Sequence, residues 1–302
     1  MNTKKLTESA MLSALFVVSS MIAIYTGIAY TLYLDMVVPL FVCLIYMRLD
    51  LRHTLLSSIT SLLIVTFAIG DVASAIWMSQ GILMGLICGY FIRKKETIFD
   101  DLFYSAILGT FIMVLIDIYF SKLTGYSFMK EFDSYRDLFP LGSEYMAMAF
   151  NIFVAMMPMS TILIVYVGAL LIGKKLMILN ENCTEKYMII KNFKRYGSYI
   201  CCSKKTYYFG IIYLILTELI NLTGFEFKFV YFKTVIMAIR VIFSKIKSNG
   251  MAQLIWLGAI YMLLIDFKST FIILVIGSQI INYSMKLREA QINMLKTSIL
   301  KR

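Results

Sequence analysis

Histidine is nearly absent from this sequence, and its scarcity limits the chemistry that the chain can perform. The single histidine, His53, excludes an H-E-x-x-H metalloprotease helix and disfavours a His-based metal site or catalytic triad. The sequence also contains no G-x-x-x-x-G-K-[ST] phosphate loop and no G-x-S-x-G nucleophile elbow. We therefore expect a protein that is not an enzyme and that holds neither a cofactor nor a metal.

Cysteine is present but forms no recognisable pattern. Cys43 and Cys88 lie inside apolar segments, whereas Cys183, Cys201 and Cys202 lie in a basic segment that we place in the cytosol. Thiols in that compartment remain reduced. The spacing therefore predicts neither a disulfide framework nor a zinc site.

Charged residues are also few, and long apolar runs take their place. The 302 residues are 60% hydrophobic and 16% charged, whereas about a quarter of a soluble domain is charged. Within lipid only a helix or a closed barrel satisfies the backbone, and these runs are continuous, without the alternation of a barrel strand. The sequence predicts an all-α, polytopic integral membrane protein built as a helical bundle.

Apolar runs long enough to cross a membrane define the predicted organisation. They lie near residues 8–30, 32–47, 53–69, 72–92, 102–120, 146–172, 206–223, 229–243, 250–266 and 269–285. We accordingly divide the chain into a six-helix membrane core over 1–173, a basic cytoplasmic linker over 174–205, a four-helix membrane segment over 206–285 and a basic cytoplasmic tail over 286–302.

The distribution of lysine and arginine predicts the orientation. These residues accumulate on the cytoplasmic side of membranes. With the N-terminus inside and ten crossings, all but six of the 29 basic residues fall in cytoplasmic segments. The weak run 229–243 is counted as a crossing, because otherwise the charges of the tail would lie outside. This topology accounts for the net charge of +11, so we expect the lipid bilayer, and not a nucleic acid, as the partner of the basic residues.

Acidic residues inside or beside the apolar runs are the main functional candidates, since a charge at membrane depth costs about 2.5–3.5 kcal/mol. In the predicted topology a set of polar and aromatic residues defines an outward-open pocket for a small polar solute: Asp35, Asp71, Trp77, Gln80, Asp117 and Asn151. Asp117 is the strongest of the carboxylates, because it lies within IMVLIDIYF. The alternative places each carboxylate in water at the headgroups, and for Asp71, at a helix start, that alternative is favoured.

Small residues recur at helical spacing in the fourth run. Gly81, Gly85 and Gly89 share one helix face, where small side chains allow another helix to approach closely. We favour packing within the chain over a role as a gate.

Three segments carry a family resemblance: TKKLTESAMLSALFVV, the glycine-spaced run ending in GYFIRKK, and LGAIYMLLIDFKSTF. With Pro39 in a short second run, they resemble YybS-like bacterial membrane proteins, which in turn are similar to the S components of energy-coupling-factor (ECF) transporters. The resemblance implies a solute-binding core in a bacterial cell membrane and a transport role. It also implies an ATPase coupling module as a partner, packed against Ala10 and Ala14. The alternative function is a membrane assembly or regulatory protein that acts through its basic linker and tail.

The predicted topology is testable by cysteine-accessibility labelling in a variant without the native cysteines. A cysteine introduced at Gly125 should react with a membrane-impermeant reagent added outside the cell. A cysteine at Asn192 should react only after the membrane is opened. The reverse pattern of labelling would contradict the proposed orientation.

Overall fold

The computed structural model describes residues 3–27, 30–125, 143–197 and 286–300, with isolated positions between these ranges. Every regular element in these ranges is a helix. The chain divides into a first unit, residues 1–197, and a second unit, residues 198–302. The predicted crossings 229–243, 250–266 and 269–285, and nearly all of 206–223, lie outside the described residues.

The main helices of the first unit are α1 (Thr3–Thr26), α2 (Val38–Arg48), α3 (Leu51–Ile69), α4 (Val72–Arg93), α5 (Ile98–Thr124), α6 (Ser143–Lys175) and α7 (Glu181–Lys191). A π-helical segment, Tyr33–Val37, leads directly into α2. In the second unit the described helix is α8, Leu287–Leu300.

The described helices include five that are long and apolar enough to cross a membrane. They are Thr3–Thr26, Leu51–Ile69, Val72–Arg93, Ile98–Leu123 and Met156–Lys175. Large apolar side chains cover their outer surfaces, among them Phe67, which is 84% exposed. Such a surface suits lipid and not water. The chain is therefore a multi-helix membrane protein in contact with the bilayer, as the sequence predicts.

Helix ends follow local sequence signals, and one of them shortens a predicted crossing. The run expected to continue to residue 30 ends as a helix at Thr26, because Gly27 has a φ of 65°. This left-handed conformation ends helices and is readily adopted by glycine. At the start of α5, the Thr97 side chain accepts a hydrogen bond from the Asp100 backbone N–H and so caps the helix.

The glycine face of α4 packs against α2. A Cβ atom added at Gly85 would lie 2.4 Å from the Pro39 carbonyl oxygen, and one added at Gly89 would lie 2.8 Å from a ring carbon of Tyr46. A Cβ atom added at Gly81 would lie 2.9 Å from a side-chain carbon of Val38, at the start of α2, and 3.0 Å from the Leu34 carbonyl oxygen in the π segment. The absence of side chains at these positions therefore sets the distance between the two helices.

Serine residues form the contact between α1 and α3. The Ser13 and Ser57 hydroxyl oxygens lie 2.6 Å apart, and the Ser61 hydroxyl donates to the Ser13 carbonyl oxygen at 3.4 Å. All three residues are buried. Ala10 and Ala14 lie on a different side of α1 and are exposed. The contact of α1 within the chain thus uses its serine face and leaves the alanine pair accessible.

Helix α7 lies within the predicted linker, yet it belongs to the first unit and packs on α4 and α5 through a buried lysine. Lys186 Nζ lies 2.5 Å from a carboxylate oxygen of Asp101 and donates to the carbonyl oxygens of Ile92 (2.9 Å) and Lys94 (2.7 Å) at the end of α4. The Tyr166 hydroxyl donates to the same Asp101 oxygen at 2.7 Å. One cation therefore neutralises a buried carboxylate and caps the negative end of a helix dipole.

The boundary between the units falls after Gly197, inside the segment 174–205.

The glycine contact makes Gly85→Ala a stringent test of the packing. We expect this variant to unfold at a lower temperature than the wild type, because the new methyl group meets backbone atoms that cannot rotate away. Overpacking of this kind costs about 1–3 kcal/mol, more than alanine gains in helix propensity. Thermal unfolding in detergent measures the difference.

Gly168→Ala in α6 is the matched control. Its added methyl would meet the flexible end of Leu40, 3.2 Å away, and that side chain can adjust. Unfolding temperatures that are the same for the wild type and Gly85→Ala would contradict the close contact between α2 and α4.

Candidate functional site

A proline interrupts the regular helix at the start of α2 and creates the first wall of the candidate site. Proline has no backbone N–H, so Pro39 cannot bond to the carbonyl of Asp35 as an α-helix would require. The chain forms the π segment Tyr33–Val37 at this point, and the Val38 N–H donates to the Tyr33 carbonyl five residues earlier. Segments of this kind occur frequently at functional sites. Here it carries Asp35, which is exposed.

A cavity of about 520 Å³ lies beside the π segment. Its walls come from the single helical turn Tyr30–Leu32, from the π segment that follows it and from helices α2, α4, α5 and α6, all within the first unit. The lining residues are Tyr30, Leu34, Asp35, Met36, Pro39, Trp77, Gln80, Gly81, Met84, Met113, Met157, Pro158, Ser160 and Thr161. The volume lies within the range of about 300–1,000 Å³ that is typical of small-molecule sites.

The lining is mostly apolar and carries a few polar groups, as ligand sites commonly do. Four of the lining residues are methionines, whose flexible thioether side chains adapt to different apolar shapes. Asp35 is the charged residue among the described lining. The Gln80 side-chain carbonyl oxygen is buried and has no hydrogen-bond partner in the described structure, so it is available to a donor from a ligand.

A hydrogen-bonded chain connects Asp71 to the cavity without placing Asp71 in its wall. Asp71 accepts hydrogen bonds from the backbone N–H groups of Ala73 (3.0 Å) and Ser74 (3.1 Å) and so caps α4. The Ser74 hydroxyl also contacts the Asp71 carboxylate and lies 2.6 Å from the hydroxyl of Tyr30, a lining residue. Asp71 therefore positions Tyr30 through Ser74.

Hydrogen bonding also sets the charge state of Asp71. The Ser74 side chain makes the largest contribution, and the backbone N–H groups of Ser74 and Ala73 add to it, so that the pKa of Asp71 is lower than its usual value. Donors directed at a carboxylate favour its charged form. The cap is therefore anionic at neutral pH, which also suits the positive end of the α4 dipole.

The structure brings together part of the predicted pocket. Asp35, Trp77 and Gln80 line the cavity, whereas Asp71 caps α4. Asp117 is partly buried in α5, and it accepts a hydrogen bond of 3.4 Å from the Ser127 hydroxyl; it is not among the described lining residues. Asn151 belongs to α6, but its side chain lies outside the described part of the structure.

Residues that the sequence analysis did not select contribute most of the wall. They include Tyr30, four methionines, and the α6 residues Pro158, Ser160 and Thr161. Two positions did carry a signal in the sequence: Pro39 and Pro158 both lie inside apolar runs, where a proline disrupts the helix and leaves room beside it.

Metal binding has no support in the described residues. No group of three or more His, Cys, Asp and Glu side chains there is arranged to hold a metal ion.

Comparison with known proteins agrees with the assignment to the membrane. Residues 14–137 match the profile of a family described as "Predicted membrane protein (DUF2232)". This segment includes the second half of α1, all of α2 to α5 and part of the cavity wall. No curated protein and no solved structure matches the chain. The match supports an uncharacterised family of membrane proteins, while the resemblance to YybS-like proteins and to ECF S components stays a prediction.

The capping role of Asp71 predicts a pH-dependent loss of stability. Asp71→Ala removes the acceptor for two N–H groups, which costs about 0.5–2 kcal/mol. Because the pKa of Asp71 in the folded protein lies below its usual value of 3.8, the carboxylate stabilises the fold fully above that value and progressively less as the pH falls through the lowered pKa. The difference in unfolding temperature between wild type and variant should therefore be present at neutral pH and shrink in acid.

Asp71→Asn provides the control, since asparagine caps helices without a titratable group. It should retain stability near neutral pH and lose the acid dependence. A constant difference between wild type and Asp71→Ala from neutral to acid pH would show that the charge of Asp71 makes no contribution.

Proposed function

We propose that this protein binds a small solute in the cavity beside its π segment, as a solute-binding component of a membrane transport process. The observation that supports this function is that Asp35, Trp77 and Gln80 line one cavity of about 520 Å³. These residues come from two separate segments of the chain, and the polarity that they bring is limited to a few groups. This combination of an apolar wall and few polar contacts is typical of a specific small-molecule site.

The contacts around the cavity favour a site that exists before the solute arrives. Asp71 and Ser74 hold Tyr30 in place, and Gly81 allows the π segment to lie directly on α4. Tyr30, Trp77 and Gln80 are each partly buried. Such a site binds with a smaller entropic cost than one that must be assembled by its ligand.

An ATPase coupling module is a separate part of the proposal, and it rests on the resemblance to S components. Ala10 and Ala14 are exposed on α1, so their surface is open to a partner helix. Small residues allow such a helix to approach closely within lipid. The cavity does not depend on this partner.

If the cavity binds a solute, binding should be detectable in the wild type and lost when a larger side chain fills the cavity. In a Trp256→Phe background Trp77 is the remaining tryptophan, because the chain has two. Solutes bound in the cavity should alter its fluorescence, and native mass spectrometry of the gently purified protein should show a bound small molecule. Thr161→Phe, which places a ring in the cavity wall, should remove both signals.

Leu163→Phe is the matched control on the same helix, since Leu163 is 47% exposed and lies outside the lining. It should retain the bound molecule and the fluorescence response. If the wild type carries no small molecule and Trp77 responds to none of the solutes tested, the proposal fails. A function in assembly or regulation would then be favoured.

A further inference from the structure

Two acceptors of the cavity wall, the Asp35 carboxylate and the Gln80 carbonyl oxygen, have no donor in the described part of the chain. Asp35 makes no ion pair within the described part of the chain, although it carries a full negative charge when ionised. The buried Gln80 carbonyl oxygen has no partner there either. A buried acceptor without a donor is unfavourable, and an unpaired carboxylate attracts a cation, so both groups favour a ligand that brings donors.

Two hydroxyl donors in the same wall, those of Ser160 and Tyr30, are already engaged. The Ser160 hydroxyl donates to the Met157 carbonyl oxygen at 2.8 Å, and the Tyr30 hydroxyl lies 2.6 Å from the Ser74 hydroxyl. Neither arrangement leaves a donor directed at a ligand without breaking an existing bond. The Asp35 carboxylate would repel an anionic ligand, whereas a cationic ligand would find its complement there.

The rest of the wall indicates which kind of ligand body the cavity can hold. Met36, Met84, Met113 and Met157 surround the cavity together with Trp77. Thioethers are polarizable and make favourable contacts with aromatic rings, and an indole ring attracts cations more strongly than other aromatic side chains do. These residues suit an apolar or aromatic body attached to a charged group.

We propose that the cavity binds an organic ammonium ion with an apolar body, its N–H groups directed at the Asp35 carboxylate and its body held among the methionines. This inference rests on the proposed solute-binding function and specifies its ligand class. Charge pairing at Asp35 gives the preference for a cation. The apolar wall excludes small, strongly hydrated inorganic cations, because it offers them too few oxygen ligands.

Two probes that differ in charge provide the test. Phenethylammonium and phenethyl alcohol share one apolar body and a hydrogen-bond donor, but only the first is a cation at neutral pH. Isothermal titration calorimetry on the full chain in lipid nanodiscs, with empty nanodiscs subtracted, should show roughly tenfold tighter binding of the ammonium. A tenfold difference in affinity corresponds to about 1.4 kcal/mol. A hydrogen bond to a charged group exceeds one to a neutral group by about this amount.

Variants of Asp35 assign the preference to this carboxylate. Asp35→Asn should remove the preference for the ammonium and leave the affinity for the alcohol unchanged. Asp35→Glu should retain the preference, which guards against a loss caused by misfolding. Asp117→Asn is the control, because Asp117 is an acidic residue of α5 outside the described lining, and the preference should persist in this variant.

The possible failures are distinguishable. If both probes bind equally and Thr161→Phe abolishes the binding of both, the cavity holds solutes but is not selective for cations, so only this inference is overturned. If the preference for the ammonium survives Asp35→Asn, the charge is recognised elsewhere and the inference is wrong. It is equally overturned if the wild type binds neither probe.

Discussion

The rest of the first unit depends on one contact. In it, the π segment and α2 together pack against the glycine face of α4. Within lipid, apolar helices gain little by meeting each other, so that shape and close backbone approach determine which helices pack. Gly85 lies against the Pro39 carbonyl at a distance that admits no side chain. This contact fixes the π segment on α4 and places Asp35 on the same side as Trp77 and Gln80. The candidate site therefore follows from packing between backbones more than from any polar attraction.

Polar groups take a second, more local part in the architecture. Lys186 and Asp101 are both buried, and each would be costly alone, since removing one partner of a buried ion pair costs about 3–5 kcal/mol. Lys186 avoids this cost by bonding to carbonyl oxygens at the end of α4 as well as to Asp101. The arrangement joins the end of α4, the start of α5 and helix α7. Serine residues likewise join α1 and α3 through hydrogen bonds between uncharged groups. Most buried polar atoms in these contacts therefore have hydrogen-bond partners inside the unit.

Much of the fold of the first unit is predictable from the sequence, because apolar runs of sufficient length have few alternatives in lipid. The all-helical class, the starts of α3 and α4 and the glycine face of α4 all follow from local patterns. The role of Lys186 does not, because a lysine between two basic clusters has the same local pattern whether it is solvated or buried. Its partner Asp101 is distant in sequence. The cavity is likewise only partly predictable. Polar and aromatic residues within the runs point to Asp35, Trp77 and Gln80, whereas methionines have no pattern that separates a cavity wall from a lipid-facing surface.

The position of the cavity has a physical cause in the two prolines of its wall. Pro39 lies at the start of α2, directly after the π segment, and Pro158 lies inside α6; both line the cavity. Each proline removes a backbone donor and displaces the turn before it, so the two helices cannot pack regularly along this stretch. Replacing either proline with a good helix former would favour a straighter helix and a smaller space. Features that weaken the helices therefore leave space for the cavity between them. Flexible methionines are suited to such a wall, because they fill an irregular space without fixing its shape.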